Sequence, residues 1–533
     1  VYEQFVVPKT TNLAVFLERS TTQLLPRYAL TCHNNQAIFH YWQDEKKHCT
    51  LSFLLNASRL NLLKEKALKP ATLLVYSFVH ISKGQKYFYS ADEWELKKDP
   101  EFMPYFLAFA ASQASFAITE LTWVELDHNN VDSPLTVANT LAKKDQYLNL
   151  PFSEEVLHII GKLPYLVEVA DLTENHLVNT YQKLSIDHIN MTKLKDFGHK
   201  RLKGALIFNE LGINYKNHRQ ELRFKYQTPA IIESSGIKWE GRSNDFSVSG
   251  LQIELDKSSA LNTGDVVNLN FPKLQKMTSA FDLKALPYVI VKIDKSKKLI
   301  SLRVYVKQHQ HIGRSFFKLL IEKNQKKLTL DEYGTLIPGL PKALRNLYAN
   351  HLSKLTVIIK SSGSRYKMDT ITSSHINHDF LSHMQHLSDS KKQFNLYPLL
   401  SNSSASNLIN TRLKQLSASE VAIKDILYIA FNHEAQHISQ KVTVKTESEL
   451  GTEKLKKVFI ANALKKGEFF CIQMALSRAD EPDMDYLNTE LSYISNYAIH
   501  RGKQIEQDIW SVKGILQLEN ITKEAMIRYK VIP

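Results

Sequence analysis

Two short motifs near the middle of the chain constrain its fold more than any other feature. Arg219 and Arg223 lie four residues apart, and 22 residues after Arg223 the segment from Asp245 to Gly250 reads Asp-Phe-Ser-Val-Ser-Gly. Residues 251–255 then alternate strictly between apolar and polar side chains, which is typical of a half-buried strand. The sequence therefore predicts a basic pair that leads into a sheet, and a polar turn between two of its strands.

The sequence around these motifs predicts a small antiparallel barrel. Runs of β-forming residues are found at 224–233, 266–271, 287–293 and 299–306. The last two runs flank the polar turn 294–298, so we expect them to form a hairpin. Residues 316–324 have the spacing of a short amphipathic helix, which would close the barrel.

Arg-x-x-x-Arg followed by Asp-x-Ser-x-x-Gly, with strands around it, resembles the PilZ family of bacterial receptors for cyclic di-GMP. The resemblance covers residues 214–328, roughly a fifth of the chain. It implies a six-stranded antiparallel β-barrel with cyclic di-GMP as its ligand and no other cofactor. The residues that it assigns to ligand binding are Arg219, Arg223, Asp245, Ser247 and Gly250. Family members with a further Arg just before the motif take a stacked ligand dimer. Here His218 stands at that position, so one ligand and two remain alternatives.

The residue types in the two motifs suit such a ligand. Cyclic di-GMP is a compact dianion with two guanine bases, and the guanidinium fork of Arg matches both phosphate and the O6/N7 edge of guanine. Asp245 can accept hydrogen bonds from guanine N1 and N2, and Ser247 can donate one to a phosphate or a base. Gly250 permits a close approach of backbone to ligand or a positive φ.

Length and composition indicate a multidomain α+β protein. The chain has 533 residues, of which 43% are hydrophobic and 23% are charged, so wholesale disorder is excluded. We predict a β-rich N-terminal domain (1–150), a helix-rich connecting segment (151–213), the barrel (214–328) and a C-terminal domain (329–533). The formal net charge of +14 favours anionic partners, but no long block of basic residues occurs, so a nucleic-acid partner is not predicted.

The two flanking domains resemble each other. Lys83-Gly84 stands between residues 72–79 and 87–89, and Lys466-Gly467 stands between residues 457–462 and 469–471. We interpret both as hairpins with a Lys-Gly turn that precede an apolar helix, and the C-terminal domain as a diverged copy of the N-terminal one. Chance similarity of two hairpins is the alternative.

Cysteine usage and hydropathy are typical of a cytoplasmic protein, and the family resemblance implies a bacterial one. Cys32, Cys49 and Cys471 have no metal-ligand spacing and make no disulfide framework. No signal peptide is visible. The longest uncharged, mainly apolar stretch, Met103 to Thr119, has 17 residues and contains Pro104, so a buried helix is expected rather than a membrane span.

A zinc hydrolase is the sharpest rival hypothesis. His433, Glu434 and His437 match the zincin motif, which needs a helix to bring both imidazoles to one metal. The flanking runs 425–431 and 438–445 favour strands, which would splay the two His apart. We therefore expect no zinc site here.

A second histidine cluster could also bind a transition metal. Its members are His375, His378, Asp379, His383 and His386. On one helix most of them would share a face, and a solvated polar face is the favoured interpretation. No phosphate-binding loop, dinucleotide-binding glycine motif or nucleophile elbow occurs, so we predict that the protein is not an enzyme.

Together these features predict a receptor that changes the docking of its neighbouring domains when cyclic di-GMP binds. The family resemblance implies regulation of motility, adhesion or biofilm through a protein partner in flagellar, pilus or envelope machinery, without a membrane span. A PilZ-like scaffold that binds no ligand is the alternative, and a zinc hydrolase is a further one.

Overall fold

The chain forms two compact units in a computed structural model. One unit comprises residues 1–215 and 338–533, and the other comprises residues 216–337. The structure describes residues 2–20, 23–65, 71–131, 152–184, 191–202, 208–213, 224–294, 296–305, 311–324, 329–330, 339–373, 379–388, 390, 393–400 and 408–531.

The N-terminal part of the first unit is built on a seven-stranded sheet. Its strands are β1 (Leu13–Arg19), β2 (Leu24–Thr31), β3 (Thr72–Ser82), β4 (Gln85–Asp92), β5 (Ala117–Glu125), β6 (Tyr165–Asp171) and β7 (Asn209–Gly212). Their order is β4-β3-β5-β6-β1-β2-β7, antiparallel except for the β2–β7 pair. Lys83 and Gly84 have positive φ between β3 and β4, which confirms the predicted Lys-Gly hairpin.

Nine α-helices are described in this part of the chain. They are α1 (Glu3–Val6), α2 (Gln36–Tyr41), α3 (Leu51–Leu54), α4 (Ala57–Glu65), α5 (Glu93–Lys97), α6 (Phe102–Ser112), α7 (Glu154–Gly161), α8 (Asn175–Gln182) and α9 (Met191–Leu194). Short 3-10 helices occur at Val7–Lys9, His128–Asn130 and Lys195–Phe197.

The segment 151–213 is not simply the helix-rich connection that the sequence suggested. It supplies β6, which lies between β5 and β1 in the interior of the sheet, and the edge strand β7. A run of seven residues with a buried Glu168 in its middle gives a weak strand signal by itself. Pairing with β1 and β5 on both sides is what makes this run a strand.

The second unit is a closed β-barrel. Its strands are β8 (Phe224–Lys225), β9 (Pro229–Ser234), β10 (Ile237–Phe246), β11 (Gly250–Leu255), β12 (Val266–Asn270), β13 (Leu286–Ile293), β14 (Leu299–Val304) and β15 (Thr329–Leu330), with helices α10 (Pro272–Gln275) and α11 (Ile312–Asn324). The order β11-β14-β13-β12-β9-β10 closes through a β10–β11 pair into six antiparallel strands, and β8 and β15 extend the sheet from β10.

The apolar side chains of the alternating sequence pattern fill the core of the barrel. On β11 the side chains of Leu251, Ile253 and Leu255 are buried in the core, and those of the intervening residues are more exposed. Phe316 and Phe317 of α11 pack into the same core. The predicted six-stranded barrel and its α+β setting are thereby confirmed.

The C-terminal part of the first unit is built on a six-stranded antiparallel sheet. Its strands are β16 (Leu355–Ser362), β17 (Arg365–Thr372), β18 (Ile423–Asn432), β19 (Val442–Thr446), β20 (Gly467–Arg478) and β21 (Val512–Asn520). The helices are α12 (Leu340–Asn350), α13 (Asp379–His386), α14 (Tyr397–Leu400), α15 (Leu413–Gln415), α16 (Ile438–Lys441), α17 (Glu447–Leu450), α18 (Glu453–Lys466), α19 (Met484–Tyr497), α20 (Ile499–Ser511) and α21 (Thr522–Tyr529), with a π-helix at Leu408–Arg412.

The two sheets of the first unit share one topology. Read from its β19 edge, the C-terminal sheet runs β19-β18-β20-β21-β16-β17, which matches β4-β3-β5-β6-β1-β2 strand for strand. Equivalent contacts recur in both. A tyrosine pair joins Tyr76 of β3 to Tyr181 of α8, and a second joins Tyr428 of β18 to Tyr529 of α21, with Oη–Oη distances of 3.4 and 3.2 Å. This agreement supports duplication.

The correspondence that the sequence predicted between the Lys83-Gly84 and Lys466-Gly467 segments is nevertheless wrong. Residues 457–462 lie in helix α18, and Lys466-Gly467 is the junction of α18 with β20 rather than a hairpin turn. The Thr452 side chain caps this helix by accepting from Leu455 N–H, and lysines fill its last turn. The true counterpart of the β3–β4 hairpin is β18–β19.

Central strands of both sheets are buried on both faces. Leu74, Tyr76 and Phe78 of β3 face the core shared by the two sheets, and Leu73 and Val75 face the core under α2–α4. Such strands read as continuous apolar runs rather than as alternating ones. Within the described residues, no helix is both long and apolar enough to cross a membrane.

Candidate functional site

The Asp245–Gly250 motif forms the corner of the barrel where β10 passes into β11. Asp245 and Phe246 end β10, and Gly250 begins β11 in extended conformation. The Ser247 N–H donates to the Gly250 carbonyl at 2.6 Å, and the Gly250 N–H donates to Ser247 Oγ at 2.9 Å. Ser247 therefore stabilises the corner through both its backbone N–H and its side-chain hydroxyl.

Phe246 anchors this corner in the barrel core. Its side chain is 1% exposed, and its ring centroid lies 5.0 Å from that of Phe317, 5.9 Å from that of Tyr226 and 6.1 Å from that of Phe224. Because four rings pack together, the end of β10 and the neighbouring Asp245 are held in a fixed place.

Strand β8 runs beside the motif. Phe224 is the Cα partner of Phe246, and Lys225 is the partner of Asp245. Just beyond β8, the Tyr226 N–H donates to the Asn244 carbonyl at 3.2 Å, and Ser243 Oγ donates to the Tyr226 carbonyl at 2.5 Å. Arg219 and Arg223 lie outside the described residues, and Arg223 directly precedes Phe224 in the sequence.

Asp245 and Ser247 are more buried than ordinary turn residues. Each is 4% exposed, and the Ser247 hydroxyl also lies 3.2 Å from the Gly250 carbonyl. The backbone N–H and the hydroxyl of Ser247 are thus both hydrogen-bonded to Gly250, within the corner itself. A structural role for this serine follows, whatever the barrel binds.

A basic residue that the sequence analysis did not identify also lies beside this corner. Arg303 of β14 is the Cα partner of Gly250, and its side chain is exposed. Nothing local in the sequence marks it, because only the β11–β14 pairing brings it beside the motif. Arg303 is therefore a candidate cation for any anion held at this corner.

The zincin-like segment does not lie on one helix. Strand β18 ends at Asn432 and α16 begins at Ile438, so His433–His437 form the turn between them. The expected extended run 438–445 is instead one helical turn followed by β19. A spacing of four residues brings two histidines within reach of one metal only on a helix, where they lie one turn apart, so this turn does not provide the backbone that the zincin motif needs.

The second histidine cluster is also divided. His375 and His378 lie outside the described residues. His383 Nε2 lies 2.8 Å from Glu468 Oε2, and His433 Nε2 lies 3.5 Å from the other oxygen of that carboxylate. In the part of the chain that the structure describes, no group of three or more His, Cys, Asp or Glu side chains is arranged to hold a metal ion.

Comparison with known proteins agrees with the geometry of the barrel. Residues 217–318 match the family model of the PilZ domain. The central region is a PilZ domain. The match lies within the second compact unit and includes both the arginine pair and the Asp245–Gly250 corner. No curated protein matches the chain.

Three solved structures are similar to parts of the chain. The PilZ domain with c-di-GMP of YcgR from Escherichia coli is 14% identical, covering 21% of this chain and 97% of that one, at a TM-score of 0.16. The Bacillus subtilis inhibitor of motility (MotI/DgrA) is 9% identical, with coverages of 49% and 99% and a TM-score of 0.18. YcgR in complex with c-di-GMP from Escherichia coli is 9% identical, with coverages of 52% and 91% and a TM-score of 0.17.

Proposed function

We propose that this protein is a cyclic di-GMP receptor that regulates motility, adhesion or biofilm formation. The observation that carries the proposal is the pairing of β8 with the end of β10 in a PilZ domain. Lys225 is the Cα partner of Asp245, and Arg223 directly precedes β8 in the sequence, which supports a shared role for the arginine pair and Asp245. PilZ domains are ligand-binding receptors rather than enzymes, and we assign no catalytic role to the chain.

The proposed contacts follow from the charges of the ligand. Arg219 and Arg223 bind the phosphates and the O6/N7 edges of the guanines through their guanidinium forks. Asp245 accepts from guanine N1–H and N2–H, and Arg303 adds an exposed cation beside Gly250. Gly250, which is itself buried, carries no side chain that would keep a flat base away from the corner.

In the proposed mechanism, ligand binding shifts the population of the protein from one docking state of the barrel to another. A dianion neutralises the basic segment before β8 and orders it, and this changes how the barrel docks on the neighbouring unit. A cytoplasmic protein partner in flagellar, pilus or envelope machinery reads out the change. Only the ligand's preference for one docking state can drive such a switch.

Calorimetric titration of the full chain with cyclic di-GMP tests the proposal. Arg219→Ala and Arg223→Ala should each weaken binding by on the order of 100-fold or more, since each charge-assisted hydrogen bond is worth about 1.5–3 kcal/mol. Arg365→Ala, at an exposed arginine of β17 in the other unit, is the matched control and should bind as the wild type does. Wild-type affinity in both site variants would refute the site assignment.

A scaffold without ligand is the second candidate, favoured by the buried Ser247–Gly250 hydrogen bonds. If the motif serves only to form these bonds, calorimetric titration of the wild-type chain with cyclic di-GMP gives no heat. Ser247→Ala then affects only the stability of the barrel, which it lowers. Saturable binding by the wild type would exclude this candidate.

A further inference from the structure

A polar cavity lies between the β16–β17 hairpin and helix α20. Its volume is about 540 Å³, which is within the range of about 300–1,000 Å³ that is usual for small-molecule sites. Such sites are lined mainly by apolar and aromatic side chains. Here, among the described side chains that line the cavity, only Ile505 is apolar and none is aromatic. The cavity is therefore suited to a polar ligand.

A buried lysine forms the floor of the cavity. Lys360 is 5% exposed, and its Nζ lies 2.6 Å from Asp369 Oδ2 and 2.7 Å from Asp508 Oδ1. The same ammonium donates to Tyr2 Oη at 2.8 Å. Because two carboxylates and a phenol surround it, the charge of Lys360 is compensated within the protein, and these contacts fix the floor beneath α20.

Comparison of the two copies shows that the ion pair in this floor is reversed. The hairpins β1–β2 and β16–β17 each have an irregularity in register, just before Glu18 in the first and just before Lys360 in the second. Glu18 forms an ion pair with Arg27 at 3.3 Å, at the positions that correspond to Lys360 and Asp369. The ion pair thus belongs to the repeated fold, and the second copy has exchanged its signs so that a cation lies in the floor.

The rim of the cavity provides available hydrogen-bond donors. Lys367 Nζ lies 2.9 Å from Asp369 Oδ1, and Arg501 Nη1 donates to Gln504 Oε1 at 3.0 Å. In the described part of the chain, these are the only polar partners of the two exposed cationic groups. An ammonium has three N–H donors and a guanidinium has five, so most of the donors remain available. The two carboxylates are already paired with the lysine of the floor, so a ligand must supply the acceptors.

We propose that this cavity binds a phosphorylated sugar. Three cations and two carboxylates line it, a net charge of +1 that favours an anion. Lys367 and Arg501 donate charge-assisted hydrogen bonds to the phosphate. The side chains of Ser362, Gln504 and Gln507 donate to and accept from the sugar hydroxyls. A nucleotide base would find no aromatic ring to stack on among the described residues that line the cavity.

Isothermal titration calorimetry of the full chain tests this site. The probes are glucose 6-phosphate, ribose 5-phosphate and glycerol 3-phosphate, with glucose and inorganic phosphate as the separate halves of the ligand. At least one of the three phosphate esters should bind saturably, and glucose and inorganic phosphate should each bind at least about tenfold more weakly, because each keeps only part of the contacts.

Variants of the rim locate the binding. Lys367→Gln and Arg501→Gln should each weaken binding of the ester by about tenfold or more, which is the effect of one lost charge-assisted hydrogen bond. Ser362→Trp, at an exposed position, should fill the cavity and abolish binding without removing a charge. The matched controls Arg365→Gln on β17 and Lys503→Gln on α20 remove exposed cations that do not line the cavity, so they should bind as the wild type does.

Four results would overturn the proposal. Absence of saturable binding by all three esters would mean that the charges serve only to fasten α20 to the hairpin. Equal affinity for inorganic phosphate would remove the sugar from the ligand. Wild-type affinity in both Lys367→Gln and Arg501→Gln would place the binding elsewhere. Equal losses in the two controls would show attraction by net charge. Cyclic di-GMP binding should be the same in all these variants, which separates this test from that of the barrel.

Discussion

A cluster of charges where the two sheets of the first unit meet leads to a quantitative prediction. Lys354 Nζ forms an ion pair with Glu519 and lies 3.9 Å from Glu120 Oε1. Glu168, which is fully buried, accepts a hydrogen bond from Asn12 Nδ2 at 3.2 Å. Glu519, Glu120 and Glu168 all interact electrostatically with Lys354, and Glu120, 5% exposed, lies farther from it than Glu519 does.

Burial makes the charged form of Glu120 unfavourable. Desolvation raises the pKa of Glu120 from its usual value near 4.5 to about 7; Lys354 and Lys523 oppose the rise, and Glu519 and Glu93 add to it. Between these two values the unfolded chain has lost a proton that the folded chain keeps. The free energy of unfolding therefore falls as pH rises through this window, and by about pH 8 the loss approaches about 3 kcal/mol at about 1.36 kcal/mol per unit.

Glu120→Gln should remove this loss. The amide has nearly the same shape and stays neutral, so the variant should match the wild type near pH 4.5 and exceed its stability by up to about 3 kcal/mol near pH 8. Differential scanning calorimetry at several pH values measures the transition of the first unit. Glu125→Gln, at the exposed end of the same strand, is the control and should keep the wild-type pH dependence.

A less stable Glu120→Gln variant near pH 8 would refute this reasoning. It would mean that the Glu120 carboxylate is charged in the folded state and is a net favourable partner of Lys354.

Four further outcomes are expected. Asp245→Ala should weaken cyclic di-GMP binding much more than cyclic di-AMP binding, because adenine lacks the N1–H and N2–H donors; equal losses by calorimetry would make Asp245 structural. Phe246→Ala should lower barrel stability by about 3–5 kcal/mol in denaturant titrations, because a ring that is 1% exposed leaves a cavity. Ligand should slow hydrogen exchange mainly at residues 214–225, and protection confined to residues after Gly250 would contradict the proposed switch. Purified protein should contain no stoichiometric zinc by plasma emission, and His433→Ala should leave ligand binding unchanged.

The sequence by itself determined the central barrel. Its strands are short, their alternation is regular, and polar turns such as Asp294–Lys298 separate them, so the local signals agree with the final pairing. The hairpin of β9 and β10 was missed, although Ser235 and Gly236 both adopt the positive φ that a tight turn requires. Capping of α7 by Ser153, whose side chain accepts from Val156 N–H, likewise depends on neighbouring residues alone.

Only the tertiary structure decided how the flanking regions are organised. Residues 457–462 and β6 are short apolar runs that suit a helix and a strand equally, and their surroundings choose between the two. The proximity of Arg303 to Gly250 and of Lys354 to Glu120 arises from strand pairing and sheet packing between residues far apart in the chain. The spacing of His433 and His437 likewise acquires meaning only from the backbone that carries it, which here is a turn. Periodicity and turn chemistry are local and can be read from one sequence. Register, pairing and desolvation belong to contacts between distant segments, so they appear only in the folded chain.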